Sequence, residues 1–140
     1  GLESTIVSLL GKTKILRLGG IERKKINKIL RKKIIYKKTD KSIAVPGQSS
    51  LHYSPGIPIR LNKKKPNRNE AFILIKKRKK TLKNYFYLSK KKNLKEAAKN
   101  LYKVLRNIKN KDYKSIAVEK IPNFGFGEAI NERLKRASKK

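Results

Sequence analysis

Ala71-Phe72-Ile73-Leu74-Ile75 is an unbroken apolar run. Five consecutive apolar positions leave no polar face, so the segment is expected to be a strand covered on both sides, as in a parallel sheet sandwiched by other layers. On its amino side, Ile57-Pro58-Ile59-Arg60-Leu61 alternates like a strand, and Lys63-Lys64-Lys65-Pro66-Asn67 makes the turn between the two. On its carboxyl side, Tyr85-Phe86-Tyr87-Leu88 supplies a third strand and Ser115-Ile116-Ala117-Val118-Glu119 a fourth. Between these last two, Asn93 caps a helix whose Leu94, Ala97, Ala98, Leu101, Leu105 and Ile108 share one face at 3.6-residue spacing. After Ile121-Pro122-Asn123-Phe124-Gly125-Phe126-Gly127 a last helix carries Ala129, Ile130, Leu134 and Ala137 on its apolar stripe. Strands mixed with crossover-length helices predict a small α/β layer fold with a mainly parallel sheet over residues 57–140.

The first 30 residues read differently. Thr5-Ile6-Val7-Ser8-Leu9-Leu10 and Lys14-Ile15-Leu16-Arg17-Leu18 are two extended runs broken at Gly11, and Gly19-Gly20 permits a tight bend. From Glu22 to Leu30, Ile26 and Leu30 stand four apart on a short helix. A hairpin and one helix offer too little apolar surface to close a core. Residues 1–30 are therefore expected to stand away from the 57–140 unit with apolar surface exposed, and to pack on something outside these 140 residues. Arg31 to Lys41 predicts an exposed basic extension. Ser42 to Pro58, with Pro46-Gly47 and Pro55-Gly56, predicts an ordered irregular segment, so that 31–56 reads as a linker.

Composition limits the function. No run approaches the ~18 apolar residues of a membrane span. Gly1-Leu2-Glu3-Ser4-Thr5 has neither the basic nor the apolar region of a signal peptide, and a cytoplasmic protein is expected. The absence of cysteine excludes disulfides, thiolate nucleophiles and thiolate metal sites. A formal charge of +31 points to polyanions such as RNA. The same charge also fits compositional drift toward A/T-rich codons, since 31 lysines stand against nine arginines and arginine is the better bidentate phosphate ligand. Both readings stay open.

Three stretches resemble one family. Gly1-Leu2-Glu3-Ser4-Thr5-Ile6-Val7, followed by Leu16-Arg17-Leu18-Gly19-Gly20-Ile21, is similar to the late segment of the YrdC-like catalytic domain of L-threonylcarbamoyladenylate synthases. Pro46-Gly47-Gln48 with His52-Tyr53-Ser54-Pro55 resembles the linker of the long, two-domain members. Gly125-Phe126-Gly127-Glu128-Ala129-Ile130-Asn131-Glu132-Arg133-Leu134-Lys135-Arg136-Ala137 resembles the closing helix of their C-terminal domain. The resemblance implies an α/β fold in three parts: the end of a YrdC-like domain over 1–30, an ordered linker over 31–56, and a small Rossmann-like C-terminal domain over 57–140.

It also implies an activity, the condensation of L-threonine, bicarbonate and ATP into threonylcarbamoyl-adenylate, which a partner enzyme uses to modify tRNA. Ser4 matches the family position that contacts threonine. Arg17, His52 and Tyr53 match ATP-binding positions, the last two folding over the nucleotide, and magnesium would accompany ATP. Thr5, next to Ser4, should face the other way and is the weaker candidate. No catalytic residue is identified. The family's earlier half, with phosphate-gripping lysine-x-arginine and serine-x-asparagine motifs, lies outside these 140 residues, so the chain alone is expected to be inactive without an N-terminal half. Lys109 and Leu18 depart from the aspartate and proline common in relatives. Read without the family, Ser4 and Thr5 are ordinary strand residues, Arg17 a solvated cation and His52 a packed linker residue. Arg133 and Arg136 read as structural or surface residues of the last helix. Two alternatives remain, a non-catalytic basic RNA-binding module and a remnant completing a separately encoded half.

Overall fold

The computed structural model describes residues 1–36 and 54–138. In chain order their elements are β1 (Ile6–Ser8), β2 (Lys14–Arg17), α1 (Arg23–Ile29), β3 (Ile59–Arg60), β4 (Glu70–Leu74), β5 (Tyr85–Tyr87), α2 (Leu94–Lys109), β6 (Ser115–Val118) and α3 (Phe126–Ala137).

β3 to β6 form one parallel sheet in the order β3-β6-β4-β5. β4 lies inside it, with Ala71 opposite Ile116 and Phe72 opposite Tyr85, and each of its five residues is buried. Strand alternation splits the apolar run between two faces. Ala71, Ile73 and Ile75 pack with Leu101, Leu105 and Ile108 of α2 and with Ile130 and Leu134 of α3, so both helices cover one face. Phe72 and Leu74 join Ala117, Tyr85 and Tyr87 on the other. The two-sided burial expected from the run is present, but a loop supplies the second cover. The connection 75–84 crosses that face, with the Arg78 guanidinium 5.8 Å from the Phe72 ring centre and Tyr87 OH 3.4 Å from Thr81 Oγ1. That connection is too short to hold a crossover helix.

α2 begins where its sequence says. The Asn93 side chain accepts from the Glu96 backbone N–H at 3.0 Å, while the Glu96 carboxylate accepts from Ser89 Oγ at 2.6 Å. Its predicted face is the one buried, and Arg106 and Lys109 in the last turn complement the helix dipole. The first turn of α3 packs tightly on the loop that precedes it only because residue 127 is glycine: a Cβ there would lie 1.9 Å from the Pro122 carbonyl oxygen.

Two expectations about the first part of the chain are corrected. Arg31 onward is not an exposed extension throughout. The Ile34 N–H donates to Asn27 Oδ1, the Ile15 N–H donates to the Ile35 carbonyl, and Tyr36 bridges to Ile15 in parallel. Ile34 is left 2% exposed. The segment extends the sheet of β1 and β2 because Asn27, on α1, turns the chain back. Nor do residues 1–30 stand away from the rest. Ile15, Leu18 and Ile34 form a second cluster with Ala129 of α3, joined by Leu2 and Ile26, and Arg23 pairs with Glu128 at 2.5 Å. An outer-layer helix has a side that does not face its sheet, and Ala129 uses it. Apolar surface is exposed here all the same, at Leu9, Leu10, Ile21, Ile29 and Ile35. No helix among the described residues is long and apolar enough to cross a membrane.

Candidate functional site

β1 and β2 pair antiparallel, with Ile6 opposite Arg17. The chain leaves β2 through Gly19-Gly20 and passes close beside Glu3 and Ser4. A Cβ on residue 19 would lie 2.2 Å from the Glu3 carbonyl oxygen and 2.5 Å from the Ser4 carbonyl carbon, so only glycine allows this approach. The Gly20 N–H then donates to the Glu3 carbonyl at 2.8 Å. One step on, Thr5 Oγ1 donates to the Ile21 carbonyl at 2.7 Å and accepts from the Ile21 N–H at 3.1 Å. Thr5 thus staples the turn to the strand, and its hydroxyl is occupied in doing so.

This geometry brings Ser4 and Arg17 together. Arg17 Nε donates to the Ser4 carbonyl at 3.1 Å and Nη2 donates to Ser4 Oγ at 3.2 Å. Arg17 is 6% exposed whereas Ser4 is open to solvent. Because Ser4 Oγ accepts from a guanidinium, its own proton is left to donate outward. The arrangement suits an anionic or carbonyl oxygen of a small ligand, with a buried cation behind the hydroxyl. Arg17 is therefore a backing group for Ser4 in addition to a candidate phosphate partner. His52 and Tyr53 lie outside the described residues. Ser54 and Pro55, which follow them in sequence, line a cleft of about 480 Å³ together with Glu3, Tyr102, Lys103 and Arg106. Ser54 thus sits in the same cleft as the residue before Ser4.

Sequence reasoning undervalued Arg133. Its side chain is fully buried. Nη2 donates to Glu3 Oε2 at 3.0 Å and to the Leu18 carbonyl at 2.9 Å; Nε donates to Tyr102 OH at 3.1 Å and, more weakly, to Glu3 Oε2 at 3.3 Å; Nη1 pairs with Glu132. Burial alone would lower its pKa, but Glu132, Tyr102 and Glu3 outweigh it and hold the guanidinium above the ordinary arginine value. A signal was present in the spacing: Arg133 sits three after Ile130, beside Leu134 and four before Ala137, squarely on the apolar stripe. Arg136 is also buried and pairs with Glu132.

Residues 21–139 match the model of the family described as threonylcarbamoyl-AMP synthase, C-terminal domain. The chain belongs to this family. Two solved structures share the fold. One is P. abyssi Sua5 complexed with L-threonine, 24% identical, with a TM-score of 0.79 over 99% of this chain and 46% of that one. The other is a variant of P. abyssi Sua5 with a histidine and the following tyrosine both changed to alanine, 22% identical, with a TM-score of 0.77 over 97% of this chain and 44% of that one. The chain thus spans slightly under half the length of these solved relatives. No curated protein matches the chain.

Proposed function

We propose that this chain is the C-terminal portion of a threonylcarbamoyl-AMP synthase acting in the cytoplasm on L-threonine, bicarbonate and ATP for tRNA modification. Residues 1–30 would end the YrdC-like catalytic domain, 31–56 would link, and 57–140 would be the accessory domain. In the reaction, the threonine amine and bicarbonate combine with loss of water, and an oxygen of the resulting carbamate attacks the α-phosphate of ATP and releases pyrophosphate. The observation that carries the reading is the exposed Ser4 hydroxyl held by the buried Arg17 guanidinium. Ser4 donates to the threonine, and Arg17 fixes Ser4 while its charge favours the anionic ligands gathered there.

Further support comes from two directions. One of the two solved relatives is complexed with L-threonine. His52-Tyr53 is a histidine followed by a tyrosine, the pair of residue types altered in the other, and Ser54 beside Glu3 is compatible with the pair closing over Ser4. Among the described residues no three carboxylate or imidazole groups gather; magnesium would accompany ATP, held largely by its phosphates and water, and no step is assigned to the metal. The excess of lysine supports contacts to tRNA phosphate without sequence preference.

Steady-state kinetics of the two-domain enzyme tests the reading. Ser4→Ala raises the threonine KM. Arg17→Ala raises the KM for both threonine and ATP, because it removes a charge and the support of Ser4 together. His52→Ala lowers turnover with the fold intact. Unchanged constants for both Ser4→Ala and Arg17→Ala would remove the basis of the assignment.

A further inference from the structure

Ser4 and Arg17 do not hold their geometry unaided. Each has a neighbour in sequence, Glu3 and Leu18, and Arg133 of α3 grips both neighbours with one nitrogen, at 3.0 Å and 2.9 Å. The grip is completed from α2, whose Tyr102 OH accepts from Arg133 Nε and lies 3.2 Å from both Glu3 carboxylate oxygens. Four ties therefore surround one corner: Arg133 to Glu3, Arg133 to Leu18, Gly20 to the Glu3 carbonyl, and Arg17 to Ser4. Of the first three, two hold backbone carbonyls and one holds the Glu3 side chain, on either side of the fourth.

Burying a guanidinium is costly, and a stripe already made of Ile130, Leu134 and Ala137 could carry an apolar residue at 133 more cheaply. What an apolar residue could not do is bond a carboxylate and a backbone carbonyl at fixed angles from two segments, one just before β1 and one just after β2. Lysine could not do it either, since an ammonium lacks the planar fork. We propose that Arg133 is a positioning residue for the ligand site. From the C-terminal domain it holds Glu3 and Leu18 so that the Ser4 hydroxyl and the Arg17 guanidinium stay in register. This inference rests on the reading of Ser4 and Arg17 as ligand residues, and it gives the C-terminal domain a part in substrate binding.

Two measurements separate the inference from that reading. The first uses the 140-residue chain itself. In Arg133→Lys, and independently in the gentler Glu3→Gln, hydrogen exchange at the Gly20 and Ile21 N–H groups accelerates about tenfold or more while the amides of β4 and α2 keep their protection. Unchanged exchange at Gly20 and Ile21, or a loss spread evenly over the sheet, would overturn the positioning role whatever the enzyme does. The second uses the two-domain enzyme. Arg133→Lys and Glu3→Gln raise the threonine KM about tenfold with kcat changed much less, and combining either with Ser4→Ala adds little further. If Ser4→Ala raises the threonine KM and Arg133→Lys does not, the inference fails and the reading of Ser4 survives. If neither variant changes it, both fail.

Discussion

Glu70 begins β4 with a carboxylate in a fully buried position, and its surroundings explain how the sheet tolerates it. Arg60 Nε and Nη2 donate to it at 2.9 Å and 2.6 Å, the Asn67 N–H donates at 2.7 Å, and Ser115 Oγ donates at 2.8 Å. The Arg60 bonds are the main reason its pKa falls from 4.5 to about 2; the Asn67 and Ser115 bonds assist, and burial works against them. A depressed folded-state pKa contributes stability that is complete above the unfolded value and is lost as pH falls through the folded one. Glu70→Gln should therefore cost about 2–4 kcal/mol at neutral pH. The gap between the two proteins in urea denaturation should narrow as pH drops from 4.5 toward 2. A gap that stays constant over that window would mean that the charge contributes nothing. Nothing in the spacing of Glu70 marks it as buried, since it lies one step before the apolar run and looks like a strand's solvated end.

At the scale of elements, α2 is where pattern and structure agree most closely. Spacing alone puts Leu94, Ala97, Ala98, Leu101, Leu105 and Ile108 on one face, and packing buries all of these but Leu94, which is half-buried at the first turn. Leu101 is fully enclosed between the sheet and the helices, so Leu101→Ala should cost about 2–5 kcal/mol through lost burial and a residual cavity. Asn93→Ala should cost about 1 kcal/mol through loss of the cap. Thermal or urea unfolding of the two variants checks both values. A Leu101→Ala cost no larger than that of Asn93→Ala would mean the helix face is not core. The helix was legible because a 3.6-residue period and a capping residue are local signals. The hairpin was legible for the same reason, but its third strand-like segment was not. Ile34-Ile35-Tyr36 is short, follows four cations within six residues, and pairs only because Asn27 turns it toward Ile15.

Over the whole molecule, two features act together. The amino-terminal segment and the sheet domain are fastened through Arg133, Arg23 and Ala129. Around this joined body the side chains of Lys63, Lys64, Lys65, Lys90, Lys91, Lys92, Lys99 and Lys103, among others, stand in solvent. Cations spread over many faces attract phosphate by counterion release and carry no base readout. Binding to tRNA and to an unrelated RNA of equal length should therefore weaken in parallel as salt rises, which filter binding or fluorescence anisotropy at several salt concentrations would measure. A marked preference for one tRNA at physiological salt would show instead that the surface reads structure. The charge was plain in the sequence, whereas the fastening was not, because its partners lie as far as 130 residues apart.

The sequence by itself determined the α/β class, the identity and order of the main strands and helices, the buried face of α2 and the stretches that resemble the family. These follow from signals that repeat every two or 3.6 residues, or from short motifs, and both survive without knowledge of the partner. Tertiary structure alone decided that a loop covers the second face of β4, that Ile34 is core, that Arg17 backs Ser4, that Glu70 is buried, and which groups meet Arg133 on its apolar stripe. The reason is the same in each case. Whether a polar or isolated side chain is buried depends on which distant group packs on it or meets its hydrogen-bonding needs, and a linear pattern contains no distance between residues 3 and 133.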